Sequence, residues 1–187
     1  MPDAKRVSTK SQKPGKHSPA HSPAAPAAQS RQETTRRSET RLKRSDTKFA
    51  DLLFVNILHD KPHRNFSSVL HAIRKGYDAK VLRAASSFFE VSDARIRQIA
   101  NVPATTASRL ESKNAPIDAA ASERIYRMSV VTRMAIDVFE NESAAISWMR
   151  EPHHMFDGAA PLDLMDTEPG AQAVKQVLNA IATGGAA

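Results

Sequence analysis

Residues 121–184 read ASERIYRMSVVTRMAIDVFENESAAISWMREPHHMFDGAAPLDLMDTEPGAQAVKQVLNAIATG, and their pattern decides the fold. Ile125, Met128, Thr132, Ala135, Val138 and Phe139 fall on one face of a long helix. Asn141 is the expected N-cap of a second helix, Glu142 to Met149. Glu151-Pro152 ends it, because the residue before a proline avoids helical backbone. Asp157-Gly158 reads as a turn, and Ala159-Ala160-Pro161-Leu162 leads into a short helical turn ending near Met165. Thr167 can cap a last helix, with Pro169 in a first turn where no N–H is needed. Ala171, Val174, Leu178 and Ile181 then recur at spacings of three and four, and Gly184-Gly185 is the stop. The prediction is an all-α fold: a compact helical bundle closed around one apolar seam.

Upstream, a helix from Ser67 to Lys75 closes at Gly76, and another from Ala79 to Phe89 carries Val81, Leu82, Ala85, Phe88 and Phe89. Ser92 caps a helix from Asp93 to Ala100, with Ile96, Ile99 and Ala100 inward. Asn101-Val102-Pro103 turns the chain into a helix from Ala104 to about Ser112, with Ala107 and Leu110 inward. Two short helices joined by so tight a turn read as a helix-turn-helix. The outward residues of the second helix are Thr105, Thr106, Ser108, Arg109, Ser112 and Lys113. Hydroxyls and Arg suit base edges and phosphates, and Arg95 and Arg97 on the preceding helix complete the expected DNA set. A face that is merely solvated fits the same pattern. Asn114-Ala115-Pro116 breaks the chain, and Asp118 or Ser122 caps the long helix. So short a joint predicts one compact unit.

Residues 1–45 cannot pack: Ser18-Pro19, Ser22-Pro23 and Ala25-Pro26 interrupt them and apolar side chains are scarce. They read as a disordered basic tail, either simply solvated or an arm that neutralises DNA phosphates. From about Asp46 a first helix carries Phe49, Leu52, Leu53, Val55, Ile57 and Leu58 until Lys61-Pro62. It is apolar nearly all round and should pack against the body or a second subunit. Charge is uneven along the chain. Residues 1–48 hold 12 Lys/Arg against 4 Asp/Glu, residues 61–113 hold 10 against 4, and residues 114–187 hold 5 against 10. A basic front and an acidic back point to two partners of opposite charge.

Other chemistries lack their residues. The 187-residue chain has no cysteine, hence no thiolate nucleophile or thiolate metal site. No glycine-rich phosphate loop, G-x-S-x-G or H-E-x-x-H occurs. His59 and His63 flank Pro62, and His153-His154 has no third ligand at a workable spacing, so no metal, cofactor or catalytic residue is expected. Trp148 reads as core. No run nears the ~20 apolar residues of a membrane span, and the basic N-terminus lacks the apolar stretch of a secretory signal. A non-enzymatic cytoplasmic protein is the expectation.

The order Val138-Phe139, Ala144-Ala145, Trp148, Pro152, Gly158, Pro161-Leu162, Thr167, Gly170, Val174, Leu178, Ile181, Gly184 resembles the toxin-binding domain of the Xre/MbcA/ParS antitoxin family. Glu140 stands where that family usually has Gly. Further upstream, Ile73-Arg74-Lys75-Gly76 is similar to the family's Ile-Arg-x-Gly segment, and Thr106 and Arg109 fit its Thr and Arg after the turn; Leu110 replaces a second basic residue. With the tail read from composition (1–45), the resemblance implies two further parts: an Xre-like helix-turn-helix region (46–117) and a toxin-binding domain (118–187). It implies the antitoxin of a type II toxin-antitoxin system. Such a protein blocks a RES-domain toxin, NAD-consuming or ADP-ribosylating, and as a dimer represses its own promoter. An NAD pocket attracts pyrophosphate, so acids of the back half are its expected counterpart. Asp163, Asp166, Glu168 or the terminus at Ala187 would fill it, Met155, Phe156 and Leu162 would anchor the interface, and Arg150 and His154 complete the expected toxin set. The competing reading is a stand-alone regulator whose C-terminal helices only dimerise.

Overall fold

The computed structural model describes residues 52–59 and 66–184. The expected tail, the helix start at Asp46, the stop at Lys61-Pro62, His63 and the residues from Gly185 onward lie outside them. The elements are α1 (52–59), α2 (Phe66–Lys75), α3 (Val81–Phe89), α4 (Asp93–Ala100), α5 (Ala104–Ser112), α6 (Ala119–Phe139), α7 (Glu142–Arg150) and α8 (Glu168–Ala182). Two 3-10 turns, His154–Phe156 and Asp163–Asp166, lie between α7 and α8. Among the described residues no strand forms; the one isolated bridge joins Asp78 to Pro116. The architecture is the all-α bundle that the hydropathy pattern predicts.

The caps do what their chemistry requires. Ser92, Asp118, Asn141 and Thr167 accept the N–H of Arg95 (3.3 Å), Ala121 (2.7 Å), Ala144 (2.9 Å) and Gly170 (3.2 Å), each satisfying a donor left over at a helix start. Helix α3 starts at Val81, two residues later than expected, because Asp78 Oδ1 takes the Lys80 N–H at 2.9 Å and holds a turn there.

Helix α6 is the axis. Its 21 residues bury Ala121, Ile125, Met128, Thr132 and Ala135, spaced alternately by four and three, with α4, α7 and α8 packed around it. Truncating Ile125 or Met128 to Ala would cost about 2–5 kcal/mol. Buried hydroxyls are satisfied: Thr132 Oγ1 donates to Met128 O, Ser129 Oγ donates to Tyr126 O, and Ser122 Oγ accepts the Tyr77 N–H. Val138 and Phe139 are only half-buried. Ile181 is a correction: expected inside, it is exposed, because the buried stripe of α8 stops at Leu178.

Helix α1 packs on the body. Phe54 meets Phe88 and Phe89 at ring separations of 5.2 and 5.4 Å. Arg133 donates to the carbonyls of Leu58 and Ile57, which α1 leaves unpaired at its end.

Two glycines are required by close approach. A Cβ on Gly76 (φ +88°) would sit 2.1 Å from Ile117 O, where the chain pairs Ile117 N–H with Tyr77 O at 2.9 Å. A Cβ on Gly170 would sit 2.3 Å from Leu164 O, so α8 could not seat against the second 3-10 turn. Glu140, by contrast, is a non-glycine in left-handed backbone at φ +50°. A glycine would hold that backbone without penalty, since L-residues with a Cβ avoid that region.

Candidate functional site

Helices α4 and α5 form the helix-turn-helix. Asn101 turns the chain in left-handed backbone (φ +57°), its N–H donates to Gln98 O, and the next N–H, on Val102, donates to Arg97 O. Val102 and Ala107 are buried and press the second helix onto the first. That leaves Thr105, Ser108, Arg109, Ser112 and Lys113 exposed on one helix and its cap, with Thr106 and Leu110 half-buried at the margin. The outward face expected from the sequence is present as a continuous hydroxyl-rich and basic surface. Arg83 of α3 flanks it through an ion pair to Glu111 at 3.1 Å.

Arg95 departs from its expected place. Its Nε donates to Asp163 Oδ1 at 2.7 Å and its Nη2 to Asp163 Oδ2 at 2.9 Å, a two-pronged pair, and Nη2 also reaches Arg150 O. Arg150 in turn holds Glu90 at the end of α3. One residue expected at DNA and one expected at the toxin are therefore bonded to each other, and a second pair crosses beside them. Arg97 has no such partner among the described residues.

The expected toxin-facing residues divide into three groups. Leu162 is fully buried and Phe156 nearly so; both are core, which corrects their reading as surface anchors. The Leu162 N–H donates to Met149 O at 2.8 Å and draws the side chain inward. Asp163 and Glu168 are committed, the first to Arg95 and the second to Arg127 at 3.1 Å, with Lys175 near it. Met155, 46% exposed, His154 and Asp166 remain open. Trp148 is half-buried and stacks on His153 at 5.2 Å; His153 Nε2 contacts Trp148 O at 2.8 Å. That stack fixes the loop whose tip presents His154 and Met155, and gives His153 a structural role.

A feature the sequence could not show is how the charges are used. In residues 66–117 all four acids are engaged: Asp78 on the Lys80 N–H, Glu90 on Arg150, Asp93 on Ser86 Oγ and Glu111 on Arg83. Six cationic side chains there, Arg74, Lys75, Lys80, Arg97, Arg109 and Lys113, have no partner among the described residues. In residues 118–184 the reverse holds. All five cations are engaged: Arg124 on Asp166 O, Arg127 on Glu123 and Glu168, Arg133 on α1, Arg150 on Glu90 and Lys175 on Glu168. Asp137, Glu140, Glu142, Glu151, Asp157 and Asp166 have no side-chain partner among the described residues.

Fold and site together define an all-α helix-turn-helix protein with a second helical module built on the same long helix. Residues 68–129 match the antitoxin Xre-like helix-turn-helix domain, and residues 134–184 match the antitoxin Xre/MbcA/ParS C-terminal toxin-binding domain. The chain belongs to the Xre/MbcA/ParS antitoxin family. It is 32% identical over 80 residues to an Antitoxin Xre of Pseudomonas putida, covering 43% of this chain and 50% of that protein, and so spans half that relative's length. An Antitoxin Xre of Yersinia enterocolitica is 25% identical over 117 residues, 62% of this chain and 79% of that protein. A Sphingobium protein named Prs ADP-ribosylating antitoxin is 25% identical over 121 residues, 60% of this chain and 76% of that protein. Among the described residues no helix is long and apolar enough to cross a membrane.

Proposed function

We propose that this protein is the antitoxin of a type II pair, that it neutralises a RES-domain toxin through its C-terminal half, and that it represses its own operon through α5. The observation that carries this reading is the division of unpaired charge. A polyanion needs unpaired cations beside a recognition helix, and the front half supplies six. A toxin pocket built for the pyrophosphate of NAD is electropositive, and the back half supplies unpaired acids. The antitoxin acts by binding, not by catalysis, in the cytoplasm, as a dimer and in a higher complex with its toxin. Two copies of α5 about 34 Å apart would read a two-fold promoter site.

The pairing of Asp163 and Glu168 narrows the toxin-blocking acids. Asp166 is the member of the expected trio still open, and Glu151 and Asp157 flank the exposed Met155 with their carboxylates unpaired. In this reading Met155 seats on the toxin and Asp166, Asp157 and Glu151 face its cationic pocket. The name of the Sphingobium relative carries ADP-ribosylation, which favours that chemistry in the toxin.

The test is co-expression of the full chain with an adjacent RES-like reading frame, scoring growth, cellular NAD and ADP-ribosylated protein. The neighbour alone should arrest growth, and this chain should restore it. A harmless neighbour, or arrest that this chain does not relieve, overturns the antitoxin reading. In the same assay Asp166→Lys with Asp157→Lys should weaken rescue and its salt dependence; unchanged rescue removes the acids from the interface.

A further inference from the structure

Three of the six unpaired cations lie outside α4, α5 and their caps, though within the matched region 68–129. Arg74 and Lys75 are exposed in the last turn of α2. Lys80 is exposed just before α3. Gly76 lets the end of α2 close on Ile117, and the Asp78–Pro116 bridge, with Ala79 N–H donating to Ala115 O at 3.3 Å, lays residues 77–79 along the segment that leaves α5. From the other side the Arg83 side chain reaches Glu111 in the last turn of α5, and Lys80 precedes Arg83 by about one helical turn. Lys113, the C-cap of α5, sits where these segments converge.

Folding alone does not account for this grouping. Arg74 and Lys75 suit the C-terminal dipole of α2, but Lys80 stands at the N-terminal end of α3, where a helix dipole disfavours a cation. The acids close by offset it only in part. Glu111 is taken by Arg83, and Asp78 accepts the backbone N–H of Lys80, keeping one negative charge against three cations. The excess like charge repels itself, and a strand of nucleic acid removes that cost by exchanging its condensed counterions for the cations.

We infer that Arg74, Lys75 and Lys80 form, with Lys113, a ridge that binds the backbone phosphates of duplex DNA beside the groove entered by α5. The inference rests on the reading of α5 as the recognition helix. The ridge reads no bases. A duplex offers a phosphate charge about every 1.7 Å of axis, so the ridge finds partners on any sequence and sets affinity and orientation, while Thr105, Ser108 and Arg109 set the choice of site.

The experiment uses the full chain and two duplexes of equal length, the promoter upstream of its own reading frame and a scrambled version, titrated over a range of salt. Replacing Arg74, Lys75 and Lys80 together by Gln should weaken binding to both duplexes about equally, on the order of tenfold. The slope of log affinity against log salt should flatten by about 2–3. All three side chains are exposed, and the dipole stabilisation lost at the end of α2 is opposed by the repulsion relieved, so the melting temperature should move by only about a degree or two. Asp78→Asn keeps the acceptor for the Lys80 N–H while removing a negative charge from the ridge, and should tighten binding to both duplexes about two- to fivefold. An unchanged slope in the triple variant, a loss confined to the promoter duplex, or no gain in Asp78→Asn overturns the ridge. If Arg109→Ala abolishes promoter preference while the triple variant changes nothing, the ridge fails and α5 stands. If the unaltered protein binds neither duplex, the reading of α5 falls and the ridge with it.

Discussion

Arg109 and Arg127 lie on successive helices of one bundle, yet they are used in opposite ways. Arg109 projects from α5 without a partner among the described residues, whereas Arg127 is held by Glu123, Glu168 and the carbonyl of Met165. The contrast runs through both halves: in each, every charge of the minority sign has a hydrogen-bond or ion-pair partner, while six of the majority sign have none among the described residues. Net charge along the chain gives the sign of each half. The folded pairings decide how much of it a partner can meet. At physiological salt the screening length is about 8 Å, so each half presents its own field with little interference from the other.

Gly76→Ala should produce the largest effect of the changes that test this contrast. Its Cβ would strike Ile117 O while holding a left-handed φ, so a loss of about 2–4 kcal/mol and a fall in Tm of roughly 10 °C are expected from thermal melting. A fall of only a degree or two would show that residues 115–117 can move away from α2 freely. Next comes Arg109→Ala with Lys113→Ala, expected to weaken promoter binding about 10–100-fold in an anisotropy titration while toxin neutralisation is kept. Loss of both activities together would show that the halves are not electrically independent.

The Arg95–Asp163 pair crosses the boundary, and a double-mutant cycle with Ala at each position should return a coupling of about 0.5–1 kcal/mol, since Asp163 is 46% exposed and partly screened. Zero coupling would mean that this bridge adds nothing to the union of the halves. The smallest effect is expected for Glu140→Gly. Relief of left-handed strain, about 1–2 kcal/mol, is partly offset by the entropy of a glycine in the unfolded chain, leaving a gain of about 0.5–1 kcal/mol in denaturant midpoint analysis. A destabilised variant would show that the Glu140 side chain has a role its lack of contacts conceals.

What the sequence made legible was local chemistry. Ser92, Asp118, Asn141 and Thr167 could be read as caps because each bonds an N–H only three residues away. The outward face of α5 could be read because a short amphipathic helix between Pro103 and Asn114 has few ways to lie. What stayed hidden depends on residues distant in the chain. Arg95 meets Asp163 across 68 positions, and no spacing rule announces such a pair. Leu162, isolated between Pro161 and Asp163, carries no periodicity of its own. It read as an exposed anchor, but the neighbouring backbone pulls it into the core. Phe156 was misread for a related reason, since only the stack of Trp148 and His153 fixes which side of that turn faces inward.

Helix α6 has a further consequence. The two family matches end and begin inside it, at residues 129 and 134, with no loop between them. The halves are therefore geared on a single shaft. Each residue of an α-helix advances about 1.5 Å and turns about 100°. One residue inserted directly after Ser129 would swing the acidic module a quarter-turn or more around the basic one, and would turn Thr132 and Ala135 away from the seam that Ile125 and Met128 begin. Seven inserted residues would nearly restore the phase, with a drift of about 20°. Loops in this architecture are free to drift in length, whereas its central helix can change only in steps of about two full turns.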